Sequence, residues 1–263
     1  MRNTTIEGMI ERLTHAEEYL VFSVGDSITE GLRTSSAEAT YTARLARGLA
    51  EQFPGRTVLR YDGLRKDTSD GELFPVRVYD GPHCVQEGTD KQITVVRSGI
   101  GGNTVRRLLN RKNDFIGKQI EGRCADLFLI VSGINDALDC DPTKYVTAKQ
   151  YGLDLCELLD EIQAADPTAD VILMTPTFND YGTEAVSTLD PYVAVMKEVA
   201  ARRHIPVIDL HRLWMEHLVM GAENSGQGDW LISPDDHCHP SDKGHAAIAE
   251  FILNELFENK VSY

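Results

Sequence analysis

A mostly parallel α/β sheet with helices on both faces is the fold that this sequence predicts, and three observations predict it. Short β-branched or aromatic runs recur along the chain, among them Tyr19-Leu20-Val21-Phe22-Ser23, Gln92-Ile93-Thr94-Val95-Val96-Arg97 and Leu127-Phe128-Leu129-Ile130-Val131. Segments with apolar residues at helical spacing separate them, which is the alternation of a parallel sheet covered on both sides. Several of these runs end in turn formers and polar residues, at the strand ends where open α/β sheets bind ligands.

The chain opens with an amphipathic helix at about 4–18, with Ile6, Met9, Ile10 and Leu13 on one face. The first strand enters Val24-Gly25-Asp26-Ser27-Ile28-Thr29-Glu30-Gly31, where two glycines permit a sharp turn and set Ser27 on a strand-to-helix corner. Ala37 to Gln52, with Tyr41, Leu45, Leu49 and then Phe53 in register, is a core-facing helix. Thr57–Tyr61 and Phe74–Tyr79 are strand-like and are candidates for a hairpin within an inserted segment at about 56–91, which reads as a lid, a specificity wall or a subunit contact. The second strand of the sheet, 92–97, runs into Ser98-Gly99-Ile100-Gly101-Gly102-Asn103-Thr104. Three glycines before a helix suggest a phosphate cradle, but the spacing fits neither G-x-G-x-x-G nor a P-loop. Cys124 to Val131 is a buried strand leading to Ser132-Gly133-Ile134-Asn135-Asp136. Tyr145 to Ala165 is helical, Val171–Met174 is the fourth strand, Leu189 to Arg203 is helical, Pro206–Leu210 is the fifth strand, and a last helix runs from Ser241 towards Glu258. With neither linker nor repeat, residues 1–263 read as a single domain.

Composition narrows the partners. The chain of 263 residues has 26 Lys and Arg against 41 Asp and Glu, a formal charge of −15. Such a surface repels nucleic acid and anionic membranes and suits a neutral or cationic small substrate; a strongly anionic one would need a local basic pocket. No run of eighteen apolar residues occurs, so no transmembrane helix is expected. The N-terminal stretch lacks the apolar core and cleavage site of a secretory signal. Cys84, Cys124, Cys140, Cys156 and Cys238 are scattered without a C-x-x-C pair, and a reducing cytoplasm is the expected compartment.

The chemistry-bearing loop is Ser233-Pro234-Asp235-Asp236-His237-Cys238-His239-Pro240. Its residue types are zinc ligands, but neighbours in sequence point in different directions and cannot close a tetrahedron alone, so no metal site is expected. Asp236 and His239 are three apart: on one helical turn the carboxylate orients the imidazole, whose other nitrogen is left for Ser27. Asp235 and His237 are rivals for the roles of partner and base. A hydroxyl attacking an ester creates an oxyanion, for which the candidate donors are the N–H groups of Ser27 and Gly102 and the amide of Asn135.

Four blocks, Gly25-Asp26-Ser27, Gly99-Ile100-Gly101-Gly102-Asn103-Thr104, Gly133-Ile134-Asn135-Asp136 and Asp236-His237-Cys238-His239-Pro240, together resemble those of the SGNH hydrolases, also called GDSL esterases and lipases, in the family's order. The resemblance implies a flavodoxin-like three-layer α/β/α sandwich with a five-stranded parallel sheet. It implies Ser27 as nucleophile, His239 as general base and acid, Asp236 as its partner, and Ser27, Gly102 and Asn135 as the oxyanion hole. No metal or organic cofactor is called for. The family contains carbohydrate acetylesterases, lysophospholipases, thioesterases and lipases. A polar and aromatic rim, in which Arg33 and Tyr61 stand beside Asn103, Arg106, Asn179, Tyr181 and Trp230, favours an acetylated sugar or oligosaccharide as substrate, with Asp26 added to the expected substrate contacts. Longer acyl esters or thioesters are the alternative, and a non-catalytic binding protein on the same fold is the rival of another class. The 56–91 segment and the N-terminal helix are candidate contacts of a homo-oligomer.

Overall fold

The structure, a computed structural model, describes residues 5–65, 77–138, 141–177, 186–223, 231–236 and 238–258. Helix α1 (Ile6–His15), capped by Thr5, is shorter than the expected 4–18, because β1 (Glu18–Gly25) begins three residues after it. Every residue of β1 but Glu18 is buried, as a central parallel strand requires. There follow α2 (Ser27–Glu30), a 3₁₀ turn at Ala37–Ala39, α3 (Tyr41–Gln52), β2 (Arg56–Arg65), β3 (Arg77–Gln86) and β4 (Thr89–Gly99). The second half contains α4 (Val105–Asn110), β5 (Leu127–Val131), α5 (Ala148–Ala165), β6 (Asp170–Met174), α6 (Val186–Arg203), β7 (Val207–Ile208), α7 (Leu210–Glu223) and α8 (Asp242–Phe257).

The sheet has seven strands in the order β3-β2-β4-β1-β5-β6-β7, parallel except for β3, which runs antiparallel to β2. This corrects the expected five. The extra two come from the inserted segment, whose strands extend the sheet instead of standing apart from it: β2 pairs with β4 from Thr57 to Asp62. The burial of β2 is hidden from a hydrophobicity reading because it buries charges. Arg60, Asp62 and Arg97 are all buried, with Arg60 Nε and Arg97 Nε donating to Asp62 at 3.1 and 3.0 Å. Buried charges of this kind need such pairing. Of the predicted lid or wall, residues 66–76 lie outside the described residues.

Helices cover the two faces. On one face Tyr19 and Val21 of β1 line a small apolar cavity together with Met9 and Leu13 of α1, Leu45 and Leu49 of α3 and Leu256 of α8. On the other face Phe22 packs against Phe128 of β5, which in turn meets Phe115 after α4, and α5 lies between α4 and α6. The last predicted strand shrinks to two residues, because Leu210 already starts α7: Asp209 accepts the Arg212 N–H at 3.2 Å and the Thr175 hydroxyl at 3.0 Å, the way a side chain caps a helix start. Leu210 and Trp214, four apart and both buried, are the helical signal there. Among the described residues no helix is long and apolar enough to cross a membrane.

The position of β1 between β4 and β5 decides where ligands meet the sheet. Strand order reverses there, so the loops leaving β1, β4 and β5 open a crevice at their carboxyl ends.

Candidate active site

Ser27 owes its position to a tight corner. A Cβ on Gly25 would stand 2.7 Å from Val131 Cγ1 and 2.9 Å from Val131 O, so only glycine lets β1 turn against β5. Asp26 then caps α2, its Oδ1 accepting the Ile28 N–H at 2.9 Å, and Gly31, at φ +85°, ends the helix after one turn. Burial pushes the Asp26 carboxyl up to about 7. As the first helical residue, Ser27 has an N–H without a partner inside the helix.

Two further contacts tie this corner to the glycine loop after β4. Glu30 accepts the Gly101 N–H at 2.6 Å, and the buried Arg111 guanidinium donates to Gly25 O at 3.2 Å and Ser98 O at 2.7 Å. Thr104, whose hydroxyl accepts from Arg107 N at 3.2 Å, starts α4 at the far end of that loop.

The loop before α8 closes on itself through Ser233 N to His239 O (2.7 Å) and Ser241 N to Leu231 O (2.8 Å). This sets His239 Nε2 2.8 Å from Ser27 Oγ and His239 Nδ1 2.8 Å from Asp236 Oδ2. Asp236 is the partner of His239, whereas Asp235 is exposed and its N–H donates to Ser233 Oγ at 3.3 Å. His237 lies outside the described residues. Burial raises the Asp236 pKa, but its hydrogen bonds outweigh that. The His239 N–H (3.0 Å), Arg33 Nε (2.7 Å), the His239 ring and the Cys238 N–H (3.1 Å) hold the carboxyl far below the ordinary carboxylate range. An ionised carboxylate only accepts, so His239 Nδ1 carries the proton and Nε2 is left to accept from the Ser27 hydroxyl.

Ser27 and His239 open onto a cavity of about 360 Å³ that Gly101, Gly102 and Asn135 also line, with Leu32, Ile134 and Leu138 as its apolar wall. Gly102 adopts φ +76°. Asn135 Nδ2 donates to Asn103 O at 3.1 Å, which spends one of its two N–H bonds. Next to it Asp136 Oδ1 accepts the Val105 N–H at 3.1 Å, and burial pushes the Asp136 carboxyl up to about 7.

The expected substrate contacts are placed less uniformly. Asp26 is buried as the cap of α2 and does not line the cavity. Asn103 is buried and turned back onto Ile100 O at 2.7 Å, while Arg106 is paired with Asp154 and Glu157 of α5; neither lines the cavity. Tyr61 is buried, with its hydroxyl on Glu121 at 2.8 Å. Asn179, Tyr181 and Trp230 lie outside the described residues. Arg33, expected at the rim, has a side chain 44% exposed and engages Asp236 from a left-handed backbone conformation (φ 70°). Glu30 and Arg111 were not singled out from the sequence. The arginine reaches its backbone acceptors only through the assembled sheet, whereas the proximity of Glu30 to Ser27 was a local signal.

The model of the GDSL-like lipase/acylhydrolase family matches residues 80–247, a segment that takes in the Gly102, Asn135 and Asp236–His239 loops and begins after the Ser27 corner. The chain belongs to the GDSL-like lipase/acylhydrolase family. As such it is an esterase, a hydrolase of carboxylic esters. An acetylxylan esterase of Geobacillus stearothermophilus is 30% identical over 172 residues, covering 62% of this chain and 72% of the relative. An arylesterase of Vibrio mimicus is 25% identical over 179 residues, covering 66% and 74%. Among solved structures, a catalytic mutant of a Geobacillus stearothermophilus acetylxylan esterase superposes with a TM-score of 0.62 at 22% identity, over 91% of this chain and 94% of that one. That likeness supports the same fold.

Proposed function

We propose that Ser27, His239 and Asp236 work as a nucleophile, base and orienting carboxylate that remove acetyl groups from O-acetylated carbohydrates. The observation that carries this reading is the bridging position of His239, 2.8 Å from both Ser27 Oγ and Asp236 Oδ2. His239 takes the hydroxyl proton as Ser27 Oγ attacks the acyl carbon. The tetrahedral oxyanion sits against the N–H groups of Ser27 and Gly102 and the remaining amide N–H of Asn135. His239 then gives its proton to the departing alcohol oxygen, leaving an acetyl-serine. Water, deprotonated by the same imidazole, attacks that ester, and acetate leaves as Ser27 regains its proton. Asp236, ionised throughout, stabilises the imidazolium of both steps.

The carbohydrate half of the reading is supported by the acetylxylan esterase relative and by a cavity whose wall is only partly apolar. The test is the rate of hydrolysis of p-nitrophenyl acetate, butyrate and octanoate, together with acetate release from acetylated xylo-oligosaccharides. The expected result is a rate highest for acetate and release from the oligosaccharides. A rate highest for octanoate moves the reading to lipid or thioester substrates.

A further inference from the structure

The protein as a whole is strongly acidic, at −15, whereas the described residues that line its catalytic cavity are not. Beside His239, the described residues that line it include two permanent cations, Arg107 and Lys144, and no carboxylate. Both converge on Gly102: a Cβ there would stand 3.4 Å from Arg107 Nη1, 3.4 Å from Lys144 Cε and 3.8 Å from Lys144 Nζ.

Each side chain is held in that place. Arg107, in α4, donates through Nη1 to Gly102 O at 2.9 Å. Lys144 comes from the loop ahead of α5, where its ammonium pairs with Asp141 at 3.0 Å. Asp141 is itself fixed by the Thr143 N–H (3.0 Å) and hydroxyl (2.6 Å). The aspartate offsets part of the lysine charge and aims it. An ammonium carries three N–H bonds, so one on Asp141 leaves others for the cavity.

Two cations brought to one wall repel each other, and a neutral sugar gains nothing from that repulsion. An anion does. An acetyl group carries no charge, so the anion must belong to the alcohol half of the ester. We propose that Arg107 and Lys144 form a carboxylate-binding subsite beside Gly102, and that the preferred alcohol is an acidic sugar: an O-acetylated uronate, alone or within an oligosaccharide. This rests on the acetyl-carbohydrate reading above and supplies the local basic pocket that the acidic composition otherwise denies an anionic substrate.

The test compares two probes that differ only in charge, an O-acetylated methyl glucuronide and its uronamide, with p-nitrophenyl acetate as a third substrate. In the wild type kcat/KM is expected to favour the uronate by about tenfold at low ionic strength, the worth of one charge-assisted contact. That preference shrinks as salt rises from 0.05 to 0.5 M. In Lys144→Met it falls towards one, and in Lys144→Arg it returns. Because the readout is a ratio within each variant, a general loss of activity cancels. Equal rates on both sugars in the wild type, or a preference that Lys144→Met leaves intact, would overturn the subsite alone. Hydrolysis of p-nitrophenyl acetate with neither sugar turned over would overturn the carbohydrate reading and the subsite with it.

Discussion

At the scale of single residues, the site depends on keeping one carboxylate charged and two others out of water. Asp236 accepts from two backbone N–H groups, Arg33 and His239, and its lowered pKa keeps it ionised well below neutrality. Asp236→Asn removes the acceptor that fixes the His239 tautomer and is expected to lower kcat by about 10³–10⁴-fold with the fold intact. Arg33→Gln leaves both backbone donors in place, so a smaller loss, of about tenfold or less, is expected from the same assay. Asp26 and Asp136 behave oppositely. Burial raises Asp136 from the 3.8 of an exposed aspartate to about 7, so the folded chain holds this proton longer than the unfolded one. The sign follows: the stability linked to this group is complete below about pH 4 and is lost as pH rises through 7. Asp136→Asn keeps an acceptor for Val105 N–H but no longer titrates. Urea unfolding at pH 5 and pH 8 should find the variant gaining on the wild type by about 1 kcal/mol or more at the higher pH. An unchanged difference would remove the buried charge from the account.

At the scale of elements, the strand ends are fixed by close approach. A Cβ on Gly99 would fall 2.1 Å from Glu30 N and 2.4 Å from Thr29 C, so an alanine at the end of β4 must displace α2, which carries Ser27. Gly99→Ala is therefore expected to cost about 1–3 kcal/mol, read as a lower urea midpoint, and to lower kcat in parallel. Helix α1 is tied to the sheet by buried Met9 and Leu13, by the Arg12–Asp170 ion pair and by the Arg56 guanidinium, which donates to Leu13 O at 2.6 Å. Leu13→Ala should cost about 3 kcal/mol while leaving kcat unchanged, since α1 lies away from the crevice. What the sequence made legible at this scale follows from burial. The continuous apolar runs at β1, β5 and β6, with strand interiors wholly buried, are unmistakable as strands. The insertion's strands were less so, because Arg60 and Asp62 satisfy one another and Arg97 inside the sheet, and a charged residue reads as solvent-facing until its partner is known. For the same reason Arg106 reads as a substrate contact: its carboxylate partner, Asp154, is more than 40 residues away.

At the scale of the whole molecule, the sheet brings together residues that are 212 positions apart, Ser27 after the first strand and His239 before the last helix. Local motifs announced each strand-end loop, yet the cationic wall of Arg107 and Lys144 emerged only from the fold, since neither residue stands out in a chain of net charge −15. The central claim is that Ser27 is the nucleophile of this assembled site, and the most direct measurement is kcat for p-nitrophenyl acetate in the wild type and in Ser27→Ala, with the thermal midpoint of each recorded alongside. A fall of at least about 10³-fold at an unchanged midpoint is the predicted result. Activity within a few-fold of wild type in a folded Ser27→Ala protein would contradict it.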